Sequence, residues 1–180
     1  MAKHLEKAFK VVNGQSFSCN YSNGSKLLAS LCDKYGSDKG SLKTSDHVYA
    51  WEPHNYTDVY AMLFDHCREH VRSVFECGIG TNDPEKASSM GVNGKPGASL
   101  RVWRDYFPDA WIAGADIDKN ALIQDTRITC FWVDQTRSVE VAELNRSFRQ
   151  HYTQTYRERP VIDLFIDDGL HTFDAGVTLF

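Results

Sequence analysis

The sequence predicts an α/β domain, a parallel sheet covered by helices, with a small helical cap in front of it. Three observations predict it. Short apolar runs of strand length recur through the second half of the chain. Segments with helical spacing separate them. Each run ends in glycines or acids rather than in a hairpin turn. Strands that are apolar on both faces and alternate with helices belong in a parallel sheet, and such sheets bind ligands at the carboxyl ends of their strands.

The elements follow in order. Residues 27–35 form a short helix that Gly36 ends. Residues 56–70 have helical spacing, with Val59, Leu63 and Phe64 on one face. Between them lies a polar loop carrying aromatics, "KYGSDKGSLKTSDHVYAWEPHN". Residues 73–77 are the first strand. Residues 99–107 are a helix with Leu100, Trp103 and Phe107 on one side, stopped by Pro108. Strands at 111–117 and 129–133 flank a short helix at 119–124. A long helix spans 138–156, a fourth strand 161–166, and a last helix begins near Thr172. The division expected is a cap and substrate-side loop over residues 1–70 and a ligand-binding sheet over 71–180.

Composition narrows the function. The 180 residues are 42% hydrophobic and 24% charged, as in an ordinary globular domain. Twenty Lys and Arg stand against 24 Asp and Glu, for a formal charge of -4, which argues against a nucleic-acid surface. Five cysteines with no CxxC pair suggest neither a disulfide framework nor a zinc site, and Cys77 and Cys130 fall in apolar runs. The N-terminus lacks the apolar core of a secretory signal, and no stretch has the length of a membrane span. The expected compartment is the cytoplasm.

The chemistry gathers just past the strands. "VFECGIGTND" places Gly78 and Gly80 in a turn where backbone can approach a ligand and open toward a helix N-terminus, near Ser99. Asp116 and Asp118 follow the second strand, Asp134 and Gln135 the third, and Asp167, Asp168 and His171 the fourth. Asp167 and Asp168 point to opposite sides if the strand continues through them. The result is a negative rim. Such a rim suits ribose hydroxyls, an adenine amine and a cationic sulfonium, and it suits a pyrophosphate poorly. The basic run 146–159 is expected to be a solvated helix face. The aromatics of "HVYAWEPHNY" suit either a sugar-binding wall or a loop packed on the core.

In these segments the chain resembles a class I S-adenosylmethionine-dependent methyltransferase of Rossmann-like fold, and more narrowly the macrolide and rhamnosyl sugar O-methyltransferases. The segments are "LCDKYGSDKG", "FECGIG", "GASLRVWRDYFPDAWIAGADID", "RITCFWVDQT" and "LFIDDGLHTF", in that order over most of residues 30–180. The resemblance implies methyl transfer to a hydroxyl of a small-molecule or glycan acceptor in a secondary-metabolite or polysaccharide pathway. It implies that Glu76, Gly78 and Gly80 form the first cofactor loop, with Ser99 beside it. Asp116 would grip the ribose, Asp134 and Gln135 would face the adenine, and Asp167 would border the methionine part. Asp168 resembles the family's Mg²⁺-binding aspartate and His171 its catalytic base.

Two departures stand out. The loop "TNDPEKASSMGVNGKPGA" is longer than a plain glycine turn and is expected to fold over the cofactor. The sequence also stops at Phe180, before the family's later strands and the acidic pair that completes its metal site. The expectation is an N-terminal fragment lacking its C-terminal strands, or a homo-oligomer paired through the open sheet edge. The rival readings are a nicotinamide-dependent oxidoreductase and a non-catalytic nucleotide- or partner-binding module on the same sheet. The first needs G-x-G-x-x-G, and Asp83 holds the place of its last glycine.

Overall fold

In a computed structural model, which describes residues 6–10, 16–20, 26–40, 49, 51–52, 54–86 and 88–180, the sheet forms from the apolar runs. Its strands are β3 (Ser73–Cys77), β4 (Trp111–Asp116), β5 (Gln124–Asp125), β6 (Ile128–Trp132) and β7 (Leu164–Asp167), in the spatial order β5-β6-β4-β3-β7. The last four positions in that order are mutually parallel. The two-residue β5 pairs antiparallel with β6, so the sheet is mixed rather than purely parallel. An antiparallel hairpin of β1 (Glu6–Lys10) and β2 (Ser16–Asn20) precedes the helices, where only helical structure was expected.

The sheet sorts side chains by parity. On β3, Val74 joins the layer under α1 (Lys26–Tyr35) and α3 (Ala98–Tyr106), which holds Leu28, Leu100, Trp103, Tyr106 and Phe107. Phe75 and Cys77 join the opposite layer, under α4 (Ser138–Tyr156) and α5 (Phe173–Leu179), with Trp111, Phe148 and Tyr152. Glu76 therefore points into the α3 side and is fully buried. In α4 the residues Leu144, Phe148 and Tyr152 recur every four positions and face inward, while Arg146 and Arg149 lie exposed as the basic run predicts.

Three element ends depart from expectation. α2 (Tyr56–Phe64) stops early, because residues 65–70 turn into i to i+3 bonds such as Cys67 N to Phe64 O at 2.9 Å. It buries Thr57 and Ala61, and Val59 and Leu63 face outward. β7 starts three residues late, because the preceding residues brace β3 from the side. Asp163 Oδ2 accepts from the Arg72 and Ser73 amides at 2.7 and 3.1 Å, and the Ser73 hydroxyl donates to the Val161 carbonyl at 2.6 Å. The apolar face expected in the last helix lies in the open: Phe173, Val177 and Phe180 are exposed, and α5 docks instead through Ala175 and Leu179.

Candidate cofactor site

A cavity of about 470 Å³ opens at the carboxyl ends of β3, β4 and β6 and against the turn after β7. The turn after α1 closes one side, and Tyr49 and Trp51 wall it with ring centroids 4.9 Å apart. The loop between Thr81 and Gly97 closes another. It folds back through Met90 N to Thr81 O at 2.7 Å, and Lys86, Met90 and Lys95 line the cavity. Residues 41–48, 50 and 53 of the polar loop lie outside the described residues.

The glycine turn is held where backbone passes backbone. Gly78 has φ +82°, donates to Ala115 O at 2.8 Å, and lies so near the turn after β7 that an added Cβ would stand 2.5 Å from the Asp168 carbonyl carbon and the Gly169 Cα. Gly80 has φ +88°, and Met90 Sδ occupies the space a side chain would need. Both line the cavity, as does Ser99 near the N-terminus of α3.

Asp116 ends β4 on the cavity wall, 7% exposed. Its Oδ2 accepts from the Ile79 amide at 2.9 Å and its Oδ1 from the Asp118 amide at 2.8 Å. Burial pushes this carboxyl above the usual range, and those amides work against the shift. A carboxylate has about four lone-pair sites, so acceptor capacity remains for two ribose hydroxyls. Asp118 instead takes the Thr81 hydroxyl and caps the turn at Asn120, and the Thr81 bond holds its carboxyl low.

Asp134 lines the cavity while its Oδ1 accepts from the Thr136 amide at 3.0 Å and hydroxyl at 2.6 Å, which pulls its carboxyl down. Gln135 also lines it. Its Oε1 accepts from the Leu170 amide at 2.7 Å, so the side chain ties the loop after β6 to the turn after β7. The Gly169 Cα leaves room for that carboxamide.

The two aspartates after β7 diverge, as parity predicts. Asp167 accepts from the Gly169 amide at 3.2 Å and is not on the cavity wall. Asp168 lines the cavity, and its Oδ2 pairs with Lys39 Nζ. Glu76 does not reach the cavity. Its Oε2 accepts from Trp103 Nε1 at 2.7 Å, and its Oε1 lies 3.7 Å from Lys39 Nζ with no hydrogen-bond partner among the described residues. His171 is exposed, lies just past the cavity-lining Leu170, and makes no hydrogen bond among the described residues.

Lys39 is the residue that motif reading passed over. It is 6% exposed in the turn "YGSDKG", and no local pattern announces that it will meet residues 37 and 129 positions away. Burial opposes its charge, but Glu76 and Asp168 outweigh burial and hold its ammonium above the ordinary lysine range. Lys39, Lys86 and Lys95 line the cavity beside Asp38, Asp116, Asp134 and Asp168. With three lysines against four aspartates, the rim is only slightly negative.

The sheet, with a glycine turn after its first parallel strand and acids after the next three, matches a Rossmann-like methyltransferase fold. Comparison with known proteins agrees. The chain is 29% identical over 153 residues to the 8-demethyl-8-alpha-L-rhamnosyl tetracenomycin-C 2'-O-methyltransferase of Streptomyces olivaceus. It is 27% identical over 154 residues to that organism's 8-demethyl-8-(2-methoxy-alpha-L-rhamnosyl)-tetracenomycin-C 3'-O-methyltransferase. Each match covers 85% of this chain and 32% of the relative, so the chain spans about a third of their length. Among solved structures it is similar to the MycE methyltransferase from the mycinamycin biosynthetic pathway in complex with Mg and SAH, with a TM-score of 0.58 and 26% identity over 85% of this chain and 34% of that one. A further MycE structure holds Mg, SAH and mycinamycin VI and matches with the same score over 32% of that chain. No protein-family model matches.

Proposed function

We propose that this chain forms the S-adenosylmethionine-binding part of an O-methyltransferase that methylates a sugar hydroxyl of a small-molecule or glycan acceptor. The observation that carries the reading is Asp116, a carboxylate with spare acceptor capacity at the second strand end, on the wall of a cavity whose floor is the Gly78–Gly80 turn. A cytoplasmic location, without nucleic-acid or membrane partners, belongs to this reading. Among the described residues no helix is long and apolar enough to cross a membrane.

The residues present fit the cofactor. Asp116 accepts both ribose hydroxyls, and Ile117 and Val133 offer apolar surface for a purine. Asp134 keeps Oδ2 free of partners among the described residues and suits an amine. When bound, the cofactor supplies a methyl group on a sulfonium. The chain's contribution is alignment of that group with the acceptor oxygen. His171, at the entrance to α5, takes the hydroxyl proton in this proposal. Divalent metal fits less well. No cluster of three His, Cys, Asp or Glu occurs among the described residues, and Asp168 already holds a cation in Lys39.

Calorimetry with S-adenosylmethionine, S-adenosylhomocysteine and NAD in parallel tests the reading. The first two should bind and NAD should not. Asp116→Ala should weaken S-adenosylhomocysteine at least about tenfold, since a hydrogen bond to a charged acceptor contributes roughly 1.5–3 kcal/mol. Unchanged affinity in a variant that melts like the parent, or preference for NAD, would discard it.

A further inference from the structure

We propose that Lys39 is a positioning residue: its ammonium, anchored from behind by Glu76, holds Oδ2 of Asp168 so that Oδ1 is presented to the amino-acid end of the bound cofactor. The proposal rests on the cofactor reading of the cavity.

Each member of the relay is fixed by something other than the relay. The turn carrying Lys39 is bound to its neighbours through Ser37 N to Cys32 O at 2.9 Å and Thr57 N to Lys39 O at 3.1 Å. Glu76 sits inside β3 and is oriented by Trp103 Nε1 at 2.7 Å. Asp168 has its main chain tied to β3 through Asp168 N to Cys77 O at 2.8 Å. Three rigid elements thus bring one ammonium between two carboxylates.

The contacts are unequal, and the inequality assigns the roles. Lys39 Nζ bonds directly to Asp168 Oδ2 but lies 3.7 Å from Glu76 Oε1, an ion-pair distance rather than a hydrogen bond. Glu76 is fully buried and cannot meet a ligand, so its charge serves Lys39. The Asp168 side chain is 35% exposed on the cavity wall, and its Oδ1 has no hydrogen-bond partner among the described residues. Burial raises the Glu76 carboxyl and the Lys39 charge opposes that shift, so one ammonium between two carboxyls leaves the cluster without net positive charge, which favours a cationic donor. The ammonium of the cofactor's amino-acid part has that chemistry. Without Lys39, Asp168 would turn freely and would face the uncompensated charge of Glu76.

A double-mutant cycle tests this. Calorimetry would compare the parent, Lys39→Met, Asp168→Ala and the pair, titrated with S-adenosylhomocysteine and with 5'-methylthioadenosine, which lacks the amino-acid part. Lys39→Met should weaken S-adenosylhomocysteine by about tenfold, within the range for coupled neighbours. Methylthioadenosine should bind as before, and the double variant should bind no more weakly than Asp168→Ala alone. Equal weakening of both ligands, strictly additive losses, or unchanged S-adenosylhomocysteine affinity would each overturn the relay. If Lys39→Met does not fold, Glu76→Gln keeps the shape and removes the anchoring charge, and the same selective loss is expected of it. If the parent binds no S-adenosylhomocysteine, the cofactor reading falls instead. The relay, which serves that ligand, falls with it.

Discussion

Replacing Gly78 by alanine tests the turn on which the site depends. Two costs can be worked out from the structure. A residue with a Cβ at φ +82° sits in left-handed backbone, which costs roughly 1–2 kcal/mol. The new methyl would stand 2.5 Å from the Asp168 carbonyl carbon and the Gly169 Cα, about 1 Å inside an ordinary carbon contact. The obstacle is backbone, so it cannot rotate away. The turn after β7 must retreat, which strains the bond from Asp168 N to Cys77 O and adds roughly 1–3 kcal/mol. The total is about 4 kcal/mol, and at roughly 2–4 °C per kcal/mol for a chain of this size the midpoint should fall by about 12 °C. Gly91 is the control. Its φ is +73° and nothing stands within 4 Å of an added Cβ, so Gly91→Ala bears only the backbone cost, roughly 1 kcal/mol and about 3 °C. Thermal unfolding followed by circular dichroism measures both. Equal losses in the two variants would show that the approach of the two turns does not constrain position 78.

Two further outcomes are expected. His171→Ala should leave S-adenosylhomocysteine affinity unchanged and shift stability by less than about 0.5 kcal/mol, because the ring is exposed. With an acceptor supplied to the whole enzyme, turnover should drop about 10²–10⁴-fold, and undiminished turnover would remove His171 from catalysis. Asp105 is held down to about 2, since bonds from Tyr35, Lys34 and Arg104 outweigh the opposing effect of its burial. A depressed carboxyl stabilises above its unfolded value and loses that contribution as pH falls, here between about 4 and about 2. Asp105→Asn should therefore lower the melting temperature at pH 7 and flatten part of that acid decline. An unchanged acid profile would show that the α1–α3 cluster adds nothing.

The sheet was legible in the sequence because β3, β4 and β6 are apolar on both faces, and burial on both faces leaves few other arrangements for such runs. α3 was legible because Pro108 ends it. The hairpin of β1 and β2 was not, since "EKAFK" and "SFSCN" lack the branched and aromatic pattern of a buried strand. β5 is two residues long and has no periodicity to detect. The strand-end acids could be located from sequence, but their partners could not. Parity separates Asp167 from Asp168, whereas only the fold brings Lys39 across 129 positions to Asp168. The signal that could have found it is a lysine in a short glycine-bounded turn that already belonged to the resemblance. The rim is less negative than expected for the same reason: acids were counted at strand ends while the lysines reaching over them came from loops.

Those partners also explain why so many polar side chains can surround one cavity at tolerable cost. A buried polar group is expensive unless it is bonded, and several of the bonds here run between loops. Asp116 holds the Ile79 amide of the glycine turn, Gln135 holds the Leu170 amide beyond β7, and Asp168 holds Lys39 from the cap. Each of these three side chains thereby fixes the loop next to it before a ligand arrives, which is the condition for binding without a large ordering cost. Behind the cavity wall, Glu76 Oε1, like Thr57 Oγ1, is buried with no hydrogen-bond partner among the described residues. Its charge is matched only at 3.7 Å by an ammonium committed to Asp168. A fully satisfied Glu76 would draw Lys39 inward and release Asp168. The direct bond to Asp168 keeps the lysine extended toward the cavity, and Glu76 stays behind it, off the cavity wall.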